Sequence, residues 1–151
     1  MIKSKKKTNM RIPESELIIN GDGSAFHIHL RPDELADIVI LVGDPGRVAM
    51  VSEYLTDIEF TRQSREFVST TGKYNGKRIT VLSTGIGTDN IDIVMTELDA
   101  LANVDFATRE PKAGHRELTI LRIGTTGAIQ PDLLTLLRRM RRPPELVRRK
   151  G

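Results

Sequence analysis

Two short loops that contain glycine and arginine constrain this chain more than any other feature of its sequence. The first is GDPGR at residues 43–47, after the apolar run at 38–42, and the second is RIGTTG at residues 122–127, at the end of the strand-like run at 118–123. Glycine lets a backbone turn sharply and bring its N–H groups close to a ligand, and arginine carries a fork of donors that matches phosphate oxygens. The loops predict a phosphate-handling enzyme in which Arg47 and Arg122 converge on one anion.

The region around the first loop predicts a strand, a turn and a helix. The run IVILV at residues 38–42 is wholly apolar, which is typical of a strand covered on both faces. Beyond it, Val48, Val51 and Leu55 recur at helical spacing, and Pro45 suits the first helical turn because no backbone donor is needed there. Such a junction aims free N–H groups at whatever binds, which favours an anion.

A hairpin and a second helix are predicted further along the chain. The runs at residues 67–74 and 78–83 are compatible with strands, and Asn75 followed by Gly76 is the strongest two-residue hairpin signal. A helix is predicted from about Asn90, with Thr88 or Asp89 as its cap. Its apolar face consists of Ile91, Val94, Met95, Leu98, Leu101 and Ala102. Strands that alternate with helices and end in glycine turns indicate an open, parallel or mixed α/β sheet with ligands at the carboxyl ends of its strands.

Charge and cysteine content narrow the expected partners. The chain has a net charge of +3, but its basic residues are concentrated at residues 1–11 and 138–150. Neither end carries the interleaved aromatic residues that stack on bases, so no nucleic-acid partner is expected. The absence of cysteine excludes disulfides and thiolate metal sites and fits a cytoplasmic location. No segment has the length of a bilayer span, so no membrane association is expected.

Composition divides the chain into three segments. Residues 1–22 are polar and basic and predict a flexible leader that ends in a turn at 21–24. Residues 23–132 carry the alternating pattern of a folded domain. Residues 133–151 break that pattern, and we interpret them as a non-native tail, such as the product of a shifted reading frame. A short basic helix that ends at Pro143 is the alternative.

Four motifs, in this order, resemble the nucleoside phosphorylase family and uridine phosphorylases in particular. They are GDPGR at residues 43–47, SREF at 64–67, STGIG at 83–87 and LRIGTTGAIQP at 121–131, within a resemblance that covers roughly residues 26–132. The resemblance implies a phosphorylase-like three-layer α/β fold with a central mixed sheet, truncated in this chain. It also implies phosphorolysis, in which phosphate attacks the anomeric carbon of a nucleoside and yields ribose 1-phosphate and a free base.

The resemblance also implies a site, residue by residue. Its phosphate-binding residues would be Gly43, Arg47, Arg65, Arg122 and Thr125, with Arg65 inserted by a neighbouring subunit. Its substrate-binding residues would be Thr126, Gly127 and His27, and His27 would reach the ribose from the partner subunit. The expected protein is therefore a homo-oligomer with shared sites. Inorganic phosphate is its co-substrate, no metal or other cofactor is implied, and the catalytic residue is unknown.

Substrate and activity follow from the same resemblance. Thr125 and Thr126 favour uridine, because purine-cleaving relatives tend to show serine and cysteine there. The later strands that complete the uracil pocket and the acidic ribose clamp in the family have no counterpart in this chain. We therefore expect weak or absent turnover from this chain alone.

The same residues also fit other interpretations. The arginines suit surface ion pairs, and glycines at 43, 85, 87, 124 and 127 suit turns with positive φ. His27 and His29 would face opposite sides of an extended segment and so share no metal, and His115 is unassigned. A dinucleotide-binding domain built on Gly85, Gly87 and Asp105 is a second enzyme class, although Asn90 occupies its third glycine position. A non-catalytic fragment with an exposed strand edge is the third hypothesis.

Overall fold

The computed structural model describes residues 11–125 of the chain. The elements in chain order are β1 Ile38–Val42, α1 Gly46–Ser52, β2 Thr56–Ser64, β3 Phe67–Tyr74, β4 Lys77–Ser83, α2 Thr88–Asn103, β5 Val104–Asp105, β6 Glu110–Pro111 and β7 Thr119–Ile123. The tail predicted at residues 133–151 lies outside the described residues.

Five strands form one mixed sheet in the order β2-β3-β4-β1-β7. β1 runs parallel to both β4 and β7, whereas β2, β3 and β4 are joined as antiparallel neighbours. The predicted mixed α/β sheet is confirmed. Its parallel part places the carboxyl ends of β1, β4 and β7 at one edge.

The helices cover opposite faces of this sheet and produce three layers. On one face, α2 packs against β1 and β4 in a cluster that includes Val94, Leu98, Leu101, Leu41 and Leu82. On the other face, Val48 of α1 packs against Val42 and Val81. Side chains alternate between faces along a strand, so the wholly apolar β1 supplies both layers at once.

The hairpin prediction is confirmed, whereas β2 and the two-residue strands β5 and β6 were not predicted. Tyr74 pairs with Lys77 across Asn75 (φ 48°) and Gly76 (φ 76°), as the Asn-Gly signal requires. β2 lacks an apolar run because it is an edge strand among the described residues and most of its residues are exposed. An exposed and mostly polar strand such as β2 therefore escapes a search for hydrophobic pattern.

Residues 11–22 pack against the body of the domain. The side chain of Leu17 is 5% exposed and clusters with Ala100 and Val104. The backbone N–H of Ile12 donates to the carbonyl of Arg109 at 2.8 Å. The flexible leader expected over 1–22 therefore does not extend through this part, because a few apolar side chains anchor it despite the polar composition.

Two local expectations were wrong. Phe26 to Ile28 form a turn, and His29 has a φ of 53°, so the segment is not extended. A buried carboxylate from α2 binds the backbone N–H groups of this turn, as described below. The cap position of α2 is Gly87 (φ 111°), without a side-chain hydrogen bond from Thr88 or Asp89. Across residues 11–125, none of the helices is long and apolar enough to cross a membrane.

Candidate functional site

The sheet topology brings the two glycine loops together. Val42 at the end of β1 is the register partner of Ser83 on one side and of Ile123 on the other. The chain therefore leaves all three parallel strands at the same level. Thr84 then donates its backbone N–H to the carbonyl of Val42 at 2.8 Å, which ties the loop after β4 to the end of β1.

A cavity of about 640 Å³, here called the loop cavity, lies at this edge of the sheet. The loops after β1, β4 and β7 line it together with one residue each of α1, α2, β7 and the β2–β3 turn. Its lining residues are Gly43, Asp44, Pro45, Arg47, Glu66, Gly85, Ile86, Gly87, Asn90, Arg122, Gly124 and Thr125. Four of the predicted phosphate-binding residues, Gly43, Arg47, Arg122 and Thr125, are therefore brought together.

The first loop is held by its own aspartate. Asp44 accepts a hydrogen bond on Oδ1 from the backbone N–H of Gly46 at 2.6 Å. The backbone N–H of Arg47 donates to the carbonyl of Asp44 at 3.0 Å. This turn carries Arg47 to the cavity wall.

Within residues 11–125, no carboxylate forms an ion pair with the arginines of the cavity. Across residues 11–125, the ion pairs include neither Arg47 nor Arg122. The alternative of surface ion pairs is thus not realised in the described part of the chain. Both guanidinium groups keep donors for an incoming anion.

Glu66 and Asn90 form a polar pair in the cavity wall that the sequence interpretation did not assign. Asn90 donates from Nδ2 to Oε1 of Glu66 at 3.0 Å. A hydrogen bond from its own backbone N–H, followed by the one from Asn90, lowers the pKa of Glu66 below its ordinary value. Glu66 is therefore a carboxylate at neutral pH. Its place within the SREF motif was the one available signal.

Gly85 is required where Glu66 and Asn90 meet the loop after β4. Its φ is +67°, and a Cβ there would lie 2.8 Å from both Asn90 Nδ2 and Glu66 Cγ. Gly87 also has a positive φ, of 111°. The turn explanation for these two glycines is confirmed, whereas Gly43 and Gly124 are not among the residues with positive φ.

Two predicted residues do not line the loop cavity of their own chain. Arg65 is exposed in the β2–β3 turn with a φ of 53° and does not line the cavity. His27 lines a separate cavity of about 250 Å³ with Phe26 and Asp92. Thr126 and Gly127 lie outside the described residues.

A buried carboxylate, Glu97 of α2, holds His27. Its side chain accepts hydrogen bonds from the backbone N–H of Ile28 at 2.9 Å and from that of His27 at 3.0 Å, and contacts His27 Nδ1 at 2.6 Å. These contacts bend the segment and fix the imidazole. Polar Glu97 lies between the apolar positions that predict α2, so the pattern alone gave no sign of this role.

The other interpretations have less structural support. Over residues 11–125, no group of three or more histidine, aspartate or glutamate side chains is placed to hold a metal ion. Asp105 accepts from the backbone N–H of Ala107 at 2.8 Å and does not line the loop cavity, which a dinucleotide site would need.

The fold is α/β, and its parallel strands end at a cavity lined by two arginines, which is where such sheets commonly hold their ligands. The model of the phosphorylase superfamily matches residues 37–135, a range that contains every lining residue of the loop cavity. The chain belongs to the phosphorylase superfamily.

The relatives similar to the chain include both uridine phosphorylases and purine nucleoside phosphorylases. The uridine phosphorylase of Haemophilus influenzae is 41% identical over 110 residues, which cover 72% of this chain and 38% of that protein. The DeoD-type purine nucleoside phosphorylase of Anoxybacillus flavithermus is 37% identical over 110 residues, which cover 72% of this chain and 42% of that protein.

A solved structure extends the similarity to the fold. A nucleoside phosphorylase of Trypanosoma brucei that shows uridine phosphorylase activity has a TM-score of 0.69 and 38% identity, over 74% of this chain and 39% of that one. The chain therefore spans well under half the length of the relatives it matches.

Proposed function

We propose that this chain carries the phosphate-binding half of a uridine phosphorylase site, which converts uridine and phosphate to uracil and ribose 1-phosphate. The observation that carries the proposal is that Arg47 and Arg122, from loops far apart in sequence, line one cavity without a carboxylate partner among residues 11–125. An inorganic phosphate satisfies both guanidinium groups at once.

In the proposed reaction the phosphate is held before the sugar reacts. Arg47 and Arg122 neutralise its charge, and Gly43 and Thr125 supply backbone and hydroxyl contacts. A phosphate oxygen then bonds to the anomeric carbon while the glycosidic C–N bond breaks, and the electron pair of that bond leaves with the base, which takes up a proton. The bound phosphate dianion stabilises the positive charge that develops on the sugar in the transition state. Because the phosphate is already held next to the sugar, the entropic cost of bringing the two reactants together is lower.

The uridine assignment is the finer part of the proposal. Thr125 and Thr126 favour it by resemblance, and the Trypanosoma brucei protein with uridine phosphorylase activity is 38% identical. The purine relative named above is 37% identical, so identity alone does not separate the two substrates.

We further propose that the complete site is shared between subunits of a homo-oligomer. His27 and Arg65 do not line the cavity of their own chain, as expected for residues that serve a neighbour's site. We also propose weak or no turnover for residues 1–151 by themselves, which span 38% of the length of the Haemophilus influenzae relative.

Release of free base tests the activity. The purified chain is incubated with phosphate and either uridine or inosine, and base release is followed by chromatography. We expect little release, with uridine ahead of inosine. Uracil release at ordinary enzyme rates would refute the proposal of weak turnover, and faster release from inosine would move the assignment to the purine branch.

Calorimetry separates ligand binding from turnover. Phosphate is titrated into the chain, and NAD is titrated in a parallel experiment. We expect saturable phosphate binding and no heat from NAD. The reverse result would favour the dinucleotide-binding alternative.

A further inference from the structure

Gly124, which directly follows β7, has no conformational reason to be glycine. The described glycines with positive φ are Gly23, Gly76, Gly85 and Gly87, so Gly124 has a backbone that other residues adopt readily. Its identity therefore depends on what surrounds it.

The space that a side chain would need at Gly124 is occupied by Arg122. A Cβ built on Gly124 would lie 2.8 Å from Nη1 and 3.7 Å from Cζ of Arg122. Non-bonded carbon and nitrogen atoms do not approach so closely without repulsion, since attraction is best near 3.5–4.0 Å. The guanidinium group thus lies directly over the Gly124 backbone.

Gly43, the matching position after β1, differs in this respect. Among the atoms of residues 11–125, a Cβ there would meet only the Gly85 carbonyl oxygen, at 3.9 Å, which is ordinary contact. The close approach of an arginine is therefore a feature of the second loop and not of glycine loops in this cavity generally.

We propose that Gly124 is a positioning residue. It lets the Arg122 guanidinium lie across the loop at the wall of the loop cavity, and so determines how tightly Arg122 binds the anion. The part that concerns phosphate rests on the proposed function. The obstructing atoms are the far end of a flexible side chain, so the fold tolerates a methyl group at residue 124. A methyl group at residue 124 would displace the side chain of Arg122.

The variant Gly124→Ala tests this relationship, with Gly114→Ala as its matched control. In the described part of the chain, no residue other than its chain neighbours has an atom within 4 Å of the Gly114 Cβ position; Gly114 has no positive φ and does not line the loop cavity. Three properties are measured in each variant: the thermal unfolding midpoint, the position of the Arg122 guanidinium in a crystal structure, and phosphate affinity by calorimetry.

We expect Gly124→Ala to unfold at or above the wild-type temperature, because alanine restricts the unfolded chain more than glycine does. We expect the guanidinium to move by about 1 Å or more, a displacement large enough to matter in a binding site. Phosphate affinity falls roughly tenfold, the scale of one lost hydrogen bond to a charged group. Gly114→Ala leaves the guanidinium position and the affinity unchanged.

A double variant tests whether Gly124 acts through Arg122. In the Arg122→Ala background, Gly124→Ala causes no further loss of affinity, since the group that it positions is gone. A further loss there would overturn the proposal, as would an unmoved guanidinium or an equal loss in Gly114→Ala.

Failure of the proposed function is a distinct outcome. If wild-type protein binds no phosphate and Arg122 still moves in Gly124→Ala, phosphate binding is refuted and the positioning relationship stands. If wild-type protein binds phosphate and Gly124→Ala binds it equally well with the arginine in place, the positioning role is refuted and phosphate binding stands.

Discussion

Glu97 in the middle of α2 contacts Nδ1 of His27 at 2.6 Å, across 70 positions of sequence. The same carboxylate accepts both backbone N–H groups of the turn that carries this histidine. One buried side chain of a helix therefore sets the path of a segment near the start of the domain. The segment has a turn where sequence alternation suggested an extended strand.

Glu97→Ala is expected to destabilise the domain. The backbone N–H groups of His27 and Ile28 would lose their acceptor, which costs about 1–3 kcal/mol for each buried unsatisfied group. Chemical denaturation measures the change in the free energy of unfolding. Asp92→Ala, an exposed carboxylate on the same helix, is the control and should change little. Equal effects of the two variants would contradict the bridging role of Glu97.

Acidification should lower the free energy of unfolding of the domain, because it protonates Glu34. This side chain has no exposed surface and bonds Arg31 and Arg62. Burial raises its pKa, but the hydrogen bond from Arg62 and its further partners outweigh burial, so the pKa lies below the ordinary value of 4.5. A lowered folded pKa means that the stabilisation is present above the unfolded pKa and is lost as pH falls through the folded pKa.

Glu34→Gln tests this pH dependence. At pH 7 the variant is expected to lose about 2–4 kcal/mol of unfolding free energy, because two arginines lose a buried anionic partner. The difference from wild type should shrink as pH falls below the ordinary glutamate pKa. Urea denaturation between neutral and acidic pH measures it, and a constant difference across that range would rule out the titration of Glu34 as the cause.

Arg47→Ala and Arg122→Ala should each weaken phosphate binding. Each variant loses a charge-assisted hydrogen bond, and a loss of roughly 10- to 100-fold in affinity is expected. Calorimetry with phosphate measures it. Arg11→Ala is the control, since Arg11 is exposed, pairs with Glu14 at 3.7 Å and does not line the loop cavity. Wild-type affinity in either cavity variant would remove that arginine from the site.

Gly85→Ala should damage both fold and cavity. Alanine at a φ of +67° costs about 1–2 kcal/mol in backbone conformation alone, and the new methyl group would also displace Glu66 and Asn90. Thermal unfolding measures the stability, and Gly21→Ala, with open space around its Cβ position and no positive φ, is the control. An unchanged midpoint in Gly85→Ala would show that the loop relaxes without cost.

The elements that were predictable are those with a strong local signal. β1 is an unbroken apolar run, the β3–β4 hairpin has Asn75 and Gly76 at its turn, and α2 repeats apolar residues on one face. β2 was missed because an exposed edge strand has no such pattern. Among the described residues, β7 pairs with β1 alone, and its Leu121 and Ile123 are exposed.

Local chemistry alone determined that the loops at 43–47 and 122–127 have glycine and arginine at strand ends, and that they suit an anion. Tertiary structure decided that these loops meet, because β1 lies between β4 and β7 and all three run in the same direction. It also decided that Glu66 and Asn90 join them and that the Arg122 guanidinium lies over Gly124. Pairing between strands far apart in sequence depends on which faces can be buried together. The residue pattern within one segment does not indicate which other strand it will pair with.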